Sequence, residues 1–532
     1  MKNILNFGLS FCILIFGFWI YCHAAEVNLV DLSKKIMDSK CDSSIYPALD
    51  ESASAYFKDH KFNEYFDFIS SLVKQKNDTC PALDYNAALA RYNQLKYLEE
   101  TQGWDEYFAQ GNTYRDQIVE NLKKAIDGTT PNDQINIKSH MLLWQFHRDQ
   151  QDAFDQETLT GLINAVTEYA KGNGNPAVIK EAADKIASYG EKGRSKEIYR
   201  MYVDKLTAAD IKLDELKQIA VNFYKEGNLD LAESIFDSYI EKAVKSLPKE
   251  KVVPELTEIA SMFSYKAEGQ KDMVYAEKIF AQAEGFGGKE ALNEEQIYLR
   301  ALNLEKSKDW AKCADVYANL ISRFPDSKYA DRAAFKVAVI STYILRDRNK
   351  GADYFVKLAE KNASAQSISS LYQLGLLSQW DKDYPKAKAY YNKLLEKAQN
   401  NFSETQTMVK ARLKEIEGGL ALESNLLAFL DDSLKKENSQ FDMSRASLTL
   451  NPYSAAANSE IAVDSSALSG ASGCMQVELQ YLWSGDLGSA TPQSAQSGFP
   501  TTYKDPGSKV IFLVVLAPSG TLDRALDFAD ID

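Results

Sequence analysis

From about Val27 to Lys436, apolar residues recur at three- and four-residue spacing. That spacing lines one face of a helix with hydrophobic side chains. Short segments rich in Gly, Pro, Asn and Asp interrupt it, as at Lys171–Pro176, Glu284–Gly288 and Phe324–Asp326. Such residues supply the turns that helices cannot continue through. Strand-like alternation is absent over this stretch, so the pattern predicts helix after helix joined by tight loops. The first four are expected over Val27–Ser39, Ser44–Asp59, Asn63–Lys76 and Ala82–Glu99.

The helical stretch repeats itself. Ala220 is followed twelve residues on by Ala232 and four further by Phe236. Ala301, Cys313 and Tyr317 keep the same spacing, as do Gly375, Ala387 and Tyr391. Two looser copies, Ala260–Ala276–Phe280 and Ala338–Ala352–Phe355, fill the gaps and give a period of 37 to 41 residues. Two antiparallel helices approach closely only where small side chains face each other, and an aromatic one turn later fills the space to the next pair. Each pair leaves an apolar face that only its neighbour can bury, so such a chain stacks into a solenoid.

Leu216, Ile219, Ala220, Phe223, Gly227, Ala232 and Phe236, with Ala301, Tyr317 and Pro325, resemble the consensus of the tetratricopeptide repeat family. The resemblance covers residues 210–400. The copies around Ala260 and Ala338 depart from it by extra residues at the turn, and residues 26–209 read as helical hairpins with degenerate repeats. Tyr317 to Ala338, with Phe324-Pro325-Asp326-Ser327 between helices, is similar to the repeats of bacterial envelope proteins. The family implies protein partners. It also implies that the first helix of each pair lines a concave groove. Carried onto this chain, the groove positions are Lys217, Tyr224 and Lys225, then Tyr298, Glu305 and Lys306, then Tyr372, Gln379 and Trp380. Aromatics with nearby charges are common anchors of peptide-binding surfaces. The alternative is that Tyr298 and Tyr372 pack between adjacent repeats.

After Lys436 the texture changes. Ser, Ala, Gly and Thr rise, and residues 447–450, 461–463, 477–483 and 510–516 read as strands, the last a continuous apolar run of buried-strand type. Residues 437–532 are therefore expected to form a small β-sandwich-like module, with a glycan such as peptidoglycan as one candidate ligand. The expected fold is mainly α: residues 210–436 a helical-hairpin solenoid, followed by this module.

At the other end, Lys2 precedes an apolar stretch from Ile4 to Tyr21 that closes on Cys22-His23-Ala24-Ala25. That order reads as a signal peptide over 1–25 with cleavage after Ala24 or Ala25, an uncleaved anchor helix being the alternative. No later segment has about 18 consecutive apolar residues, so no transmembrane segment is expected in the mature chain. The formal charge of −14 across 532 residues disfavours nucleic acid and anionic lipid as partners.

Export permits disulfides. Four cysteines follow the leader: Cys41, Cys80, Cys313 and Cys474. With helices running alternately up and down, Cys41 and Cys80 fall in loops at the same end of the stack, so they are expected to pair. Cys313 holds a small-residue position and should be a buried thiol, and Cys474 is expected to be unpaired.

Catalytic chemistry finds little support. Only His60, His140 and His147 follow the leader. His140 and His147 lie seven apart, not at the spacing of metal ligands, and read as helix-surface residues. Gly285–Lys289 lacks the spacing of a phosphate loop and the Ser or Thr after its lysine. Neither cofactor nor metal is expected. The segment Gly470-Ala-Ser-Gly-Cys-Met-Gln476 resembles part of the soluble lytic transglycosylases, which also place a helical superhelix before their catalytic domain. That chemistry requires a general-acid Glu, followed by Ser, about twelve residues before the first Gly. Asn458 stands there; Glu460 lacks the Ser, and Glu423-Ser424 is far upstream. The reading that results is a periplasmic scaffold or adaptor holding other envelope proteins, with a lytic transglycosylase-like enzyme or its inactive relative as the alternative.

Overall fold

The computed structural model describes residues 29–39, 41, 43–76, 79–172, 174–209, 211–265, 269–288, 290–435, 448–465, 479–517 and 520–532. The leader over 1–25, Cys474 and the segment Gly470–Gln476 lie outside the described residues. Helices follow one another from Leu29 to Leu434, and strands begin at Thr449. None of the described helices is long and apolar enough to cross a membrane. The chain divides into two compact units, residues 1–222 with 230–239, and residues 223–229 with 240–532.

The first unit is built from helical hairpins: Tyr46–Lys58 with Phe62–Gln75, Pro81–Glu100 with Trp104–Asp127, Gln134–Gln150 with Asp155–Lys171, and Pro176–Ser188 with Lys192–Ala208. Local chemistry sets their ends. The Lys171–Pro176 loop closes where the Asn175 side chain accepts from Ala177 N at 2.9 Å and Pro176 opens the next helix. Cys41 and Cys80 are joined by a disulfide, with Cα atoms 5.5 Å apart. Leu32, Ile36, Leu49, Tyr65, Ile69 and Leu83 form part of the core beside it. His147 departs from the surface reading: it is buried, and its Nδ1 lies 2.6 Å from Asp152 Oδ2.

The second unit carries the repeating frame. Hairpins Lys249–Phe263/Met273–Gly287, Glu294–Lys306/Trp310–Arg323 and Ala365–Trp380/Tyr384–Ala398 stack in sequence, with Ala330–Val339 and Arg348–Glu360 between the last two. A dipeptide turn recurs. Lys308, Arg346 and Lys382 take the left-handed conformation (φ 63°, 58° and 63°). The Asp that follows each one, Asp309, Asp347 and Asp383, caps the next helix by accepting from the amides of Lys312, Lys350 and Lys386. The small positions are buried where helices cross: Ala260, Ala276, Ala301, Cys313, Ala338, Gly375 and Ala387. Cys313 is a buried free thiol whose Sγ lies 3.4 Å from Ala301 O. In the Ala338 copy the close-contact residue is Gly351, not Ala352. A Cβ on Gly351 would stand 1.9 Å from Thr342 Oγ1, whereas Ala352 is partly exposed. This restores the four-residue spacing to Phe355, and the extra residues are absorbed by a π turn over Ile340–Ile344.

The tail is a β-sandwich. One sheet has the order β1-β3-β5 (Thr449–Asn451, Glu460–Asp464, Gly498–Thr502). The other has the order β2-β7-β6-β4 (Ser454–Ala455, Gly520–Ile531, Gly507–Ala517, Gln480–Gly485). All pairs are antiparallel except β2 with β7. Leu450, Ile461, Val463, Trp483, Phe499, Ile511, Leu513 and Val515 fill the space between the sheets. The other face of β6 is covered as well: Phe512 stacks on Phe429 (4.2 Å) and meets Tyr343 edge-on (5.3 Å) from the helices. Burial on both faces is why the strand reads as a continuous apolar run.

Candidate functional site

The groove positions of the sequence reading do not share one environment. Lys217 lies in the first unit and is partly exposed. In the second unit, Lys225 is exposed, while Tyr224 is buried with its hydroxyl on Met262 O. Tyr298, Glu305, Lys306, Tyr372 and Gln379 are all buried. The open groove expected at these five residues is therefore not what the structure presents.

Two physical causes account for this. The first is helical geometry. Glu305 and Gln379 lie four residues after the small positions Ala301 and Gly375. Residues four apart share a helix face, so both side chains turn toward the second helix of their own hairpin. There Tyr317 donates to Glu305 Oε2 at 2.9 Å, and Tyr391 donates to Gln379 Oε1 at 3.0 Å. The aromatic that packs against the small residue thus also ties the hairpin by its hydroxyl. Glu305 and Gln379 are structural acceptors.

The second cause is occupancy. Tyr298 and Lys306 meet the chain's own last strand. Tyr298 donates to Asp530 Oδ2 at 2.9 Å. Lys306 reaches Asp527 Oδ1 at 2.9 Å and Phe528 O at 3.3 Å. Lys336, fully buried, bridges Glu305 Oε2 (2.9 Å) and Asp530 Oδ2 (3.2 Å). Arg332 binds Asp532 at 2.9 Å, and Ser508 donates to Asp530 Oδ1 at 2.6 Å. Further along the unit, Asp505 Oδ2 accepts from the amides of Glu404 and Thr405, while Glu404 Oε2 accepts from those of Lys504 and Asp505. Arg524 pairs with Asp432 at 3.2 Å.

Burial alone would raise the carboxyls of Asp527 and Asp530. Lys306 and Lys308 around the first, and Lys336 and Arg332 around the second, overcome that and hold both below the usual carboxylate range. Lys336 is held well above its ordinary value, since Asp530 and Glu305 outweigh its desolvation. All three groups are therefore charged at neutral pH. Toward the end of the solenoid, Tyr372 is buried beside Arg412, and its hydroxyl is pushed above its ordinary range by burial. Gln379 donates to Glu415 at 3.0 Å, and Trp380 Nε1 donates to Asp431 Oδ1 at 2.9 Å. The residues that complete this arrangement, Lys336, Asp527 and Asp530, escaped the sequence reading. The available signal was a lysine and two aspartates on an apolar helix and strand, where buried charges require partners.

The carboxylates weighed for transglycosylase chemistry are placed apart from any such role. Glu460 is exposed at the start of β3, paired with Thr502, and Glu423 accepts from Arg412. The described residues from 448 onward form the sandwich rather than a helical catalytic domain.

The hairpins, the small-residue crossings and the aromatic ties define a helical-repeat protein. Residues 297–327 and 369–401 match the family model of the tetratricopeptide repeat. These two segments are tetratricopeptide repeats, a repeat that indicates protein–protein interaction. No curated protein matches the chain. Among solved structures, it is similar to the C-terminal part of a tetratricopeptide repeat-containing protein from Cytophaga hutchinsonii. The identity is 14%, over 50% of this chain and 98% of that one, with a TM-score of 0.27. It is also similar to a tetratricopeptide repeat protein from Parabacteroides merdae ATCC 43184, at 16% identity over 62% of this chain and 99% of that one, TM-score 0.16. The assignment rests on the repeats themselves.

Proposed function

We propose that this chain is an exported, periplasmic scaffold that holds other proteins in a cell-envelope assembly and performs no catalysis. The observation that carries the scaffold reading is the pair of tetratricopeptide repeats at 297–327 and 369–401. Export is supported by the signal-like order of residues 1–25 and by the Cys41–Cys80 disulfide, a bond that persists in oxidising compartments. The inward helix faces around Tyr298 and Lys306 are covered by β7, so partners are expected on helices that remain open. Phe108 is 80% exposed and stands beside the exposed Trp104, at ring-centroid distances of 6.2 Å from Trp104 and 5.8 Å from Tyr107. Exposed aromatic clusters of this kind mark interaction surfaces. A photo-crosslinking amino acid at Phe108, in the full chain expressed in a bacterial envelope, should give discrete adducts that mass spectrometry identifies as envelope proteins. Adducts to no protein, or cytoplasmic fractionation of the chain, would remove this reading.

A further inference from the structure

A cavity of about 500 Å³ opens in the second unit between helix Ser403–Glu417 and the β4–β6 region of the sandwich. Its wall mixes apolar side chains, among them Met408, Leu426 and Leu487, with Arg412, Asp486 and Lys509. Volume and lining suit a small amphipathic body.

The polar groups are unequally satisfied. The acids are committed: Glu404 Oε2 accepts two backbone amides, Glu423 accepts from Arg412, and Asp486 Oδ2 accepts from Val510 N at 3.0 Å. The bases are not. Lys509 is 4% exposed. Its ammonium lies 5.7 Å from the Tyr503 ring. Among the described residues no hydrogen bond or ion pair to that ammonium is found. Arg412 uses Nη2 for Glu415 and Glu423 at 3.2 and 3.0 Å, and its Nε and Nη1 have no hydrogen-bond partner. Ser484 Oγ, on the same wall, is also unpartnered. Buried donors without acceptors are costly, and a cationic one more so, unless something supplies the acceptor. The unpartnered donors therefore have room for an added acceptor, although Glu404, Glu423 and Asp486 also line the cavity, and its apolar wall has room for a hydrophobic body. We propose that it binds the carboxylate of an apolar-bodied molecule, with Lys509 as the ion-pair partner and Arg412 beside it. The chemistry is that of a free organic acid or of the C-terminal end of a peptide. It stands independently of the scaffold reading.

Calorimetric titration of the full chain with N-acetyl-leucine and with its amide, N-acetyl-leucinamide, tests this, because the two share a body and differ in charge. The acid should bind at least about tenfold more tightly than the amide, about 1.4 kcal/mol. Lys509→Met, which keeps the length and removes the charge, should lose acid binding by a similar factor. Its melting temperature should fall only slightly, since the ammonium has no hydrogen-bond partner among the described residues and only offsets part of the burial of Asp486. Equal binding of acid and amide, no binding of either, or unchanged acid binding by Lys509→Met would overturn the proposal. So would a sharp fall in the variant's melting temperature, which would show that the ammonium is held by the protein itself. A short peptide ending in leucine separates the two sources. If it binds as well as the acid, the ligand is a chain end; if it is excluded while the acid binds, the ligand is a free acid.

Discussion

Asp530 shows how one residue can fix a long-range contact. Its carboxylate is buried and serves Lys336, Tyr298 and Ser508 together. Replacing it with Asn removes the charge that balances Lys336 and leaves that ammonium with Glu305 alone. Breaking a buried ion pair from one side costs about 3–5 kcal/mol, and we expect Asp530→Asn to lose that amount in urea unfolding at pH 7. The pH dependence has a definite sign. The folded carboxyl lies below its unfolded value near 3.9, so its contribution is complete above that value and is lost as pH falls through the folded pKa. The gap between wild type and Asp530→Asn should therefore narrow below about pH 4. Asp84, in the first turn of its helix, behaves in the opposite way. Burial pushes its carboxyl up to about 6, against a smaller downward pull from Lys124. The folded state then binds more protons than the unfolded one between about pH 4 and 6, and stability falls as pH rises through that window. Asp84→Asn should raise the melting temperature at pH 7 and leave it unchanged below about pH 4, as a thermal melt series would record.

The element scale is set by the crossings of paired helices. A Cβ placed on Gly375 would stand 2.4 Å from the Tyr391 ring, whose hydroxyl is held by Gln379. The ring cannot retreat without breaking that bond. Gly375→Ala should cost about 1–3 kcal/mol through overpacking, despite the better helix propensity of Ala. Denaturant unfolding should show the loss while far-ultraviolet dichroism stays unchanged; an unchanged midpoint would count against the crossing geometry. The small-residue frame was legible in the sequence because crossings recur at a fixed period. The strand β6 was legible because burial on both faces leaves an unbroken apolar run. The surroundings of the positions carried over from the repeat family were not legible. Tyr298 and Lys306 meet the last strand of the chain, whereas Glu305 and Gln379 fall on the face of their own small residue and meet an aromatic partner. What covers Tyr298 was not legible at all. Its partner, Asp530, is 232 residues away, and no local pattern in either segment specifies the other.

On the scale of the second unit, the solenoid and the sandwich share one interior. Sheet β2-β7-β6-β4 gives one face to the sandwich core and the other to helices, with Phe512 between Tyr343 and Phe429 and the Asp527 and Asp530 contacts along β7. Repeat arrays ordinarily gain stability by nearest-neighbour stacking and can unfold by fraying from one end. Here the contacts tie helices 294–306, 330–344 and 424–434 to strands 507–517 and 520–531, far apart in sequence. Losing the strands would leave Lys336 and Lys306 with Glu305 as their shared carboxylate and take Asp530 from Tyr298, and losing the helices would expose the outer face of β6. Opening either part alone breaks the buried ion pairs of Asp527 and Asp530, which costs several kcal/mol. We therefore expect one cooperative opening for both. In native-state hydrogen exchange under rising denaturant, the slowest amides of β6 and β7 should converge on the same opening free energy as those of helices 330–344 and 365–380. In Asp530→Asn, both sets should fall together and by the same amount. Exchange of the strands through a separate, lower-energy opening that leaves helix protection intact would show that the sandwich is an independent module resting on the solenoid. In that case the inward faces around Tyr298 and Lys306 would be available to other ligands.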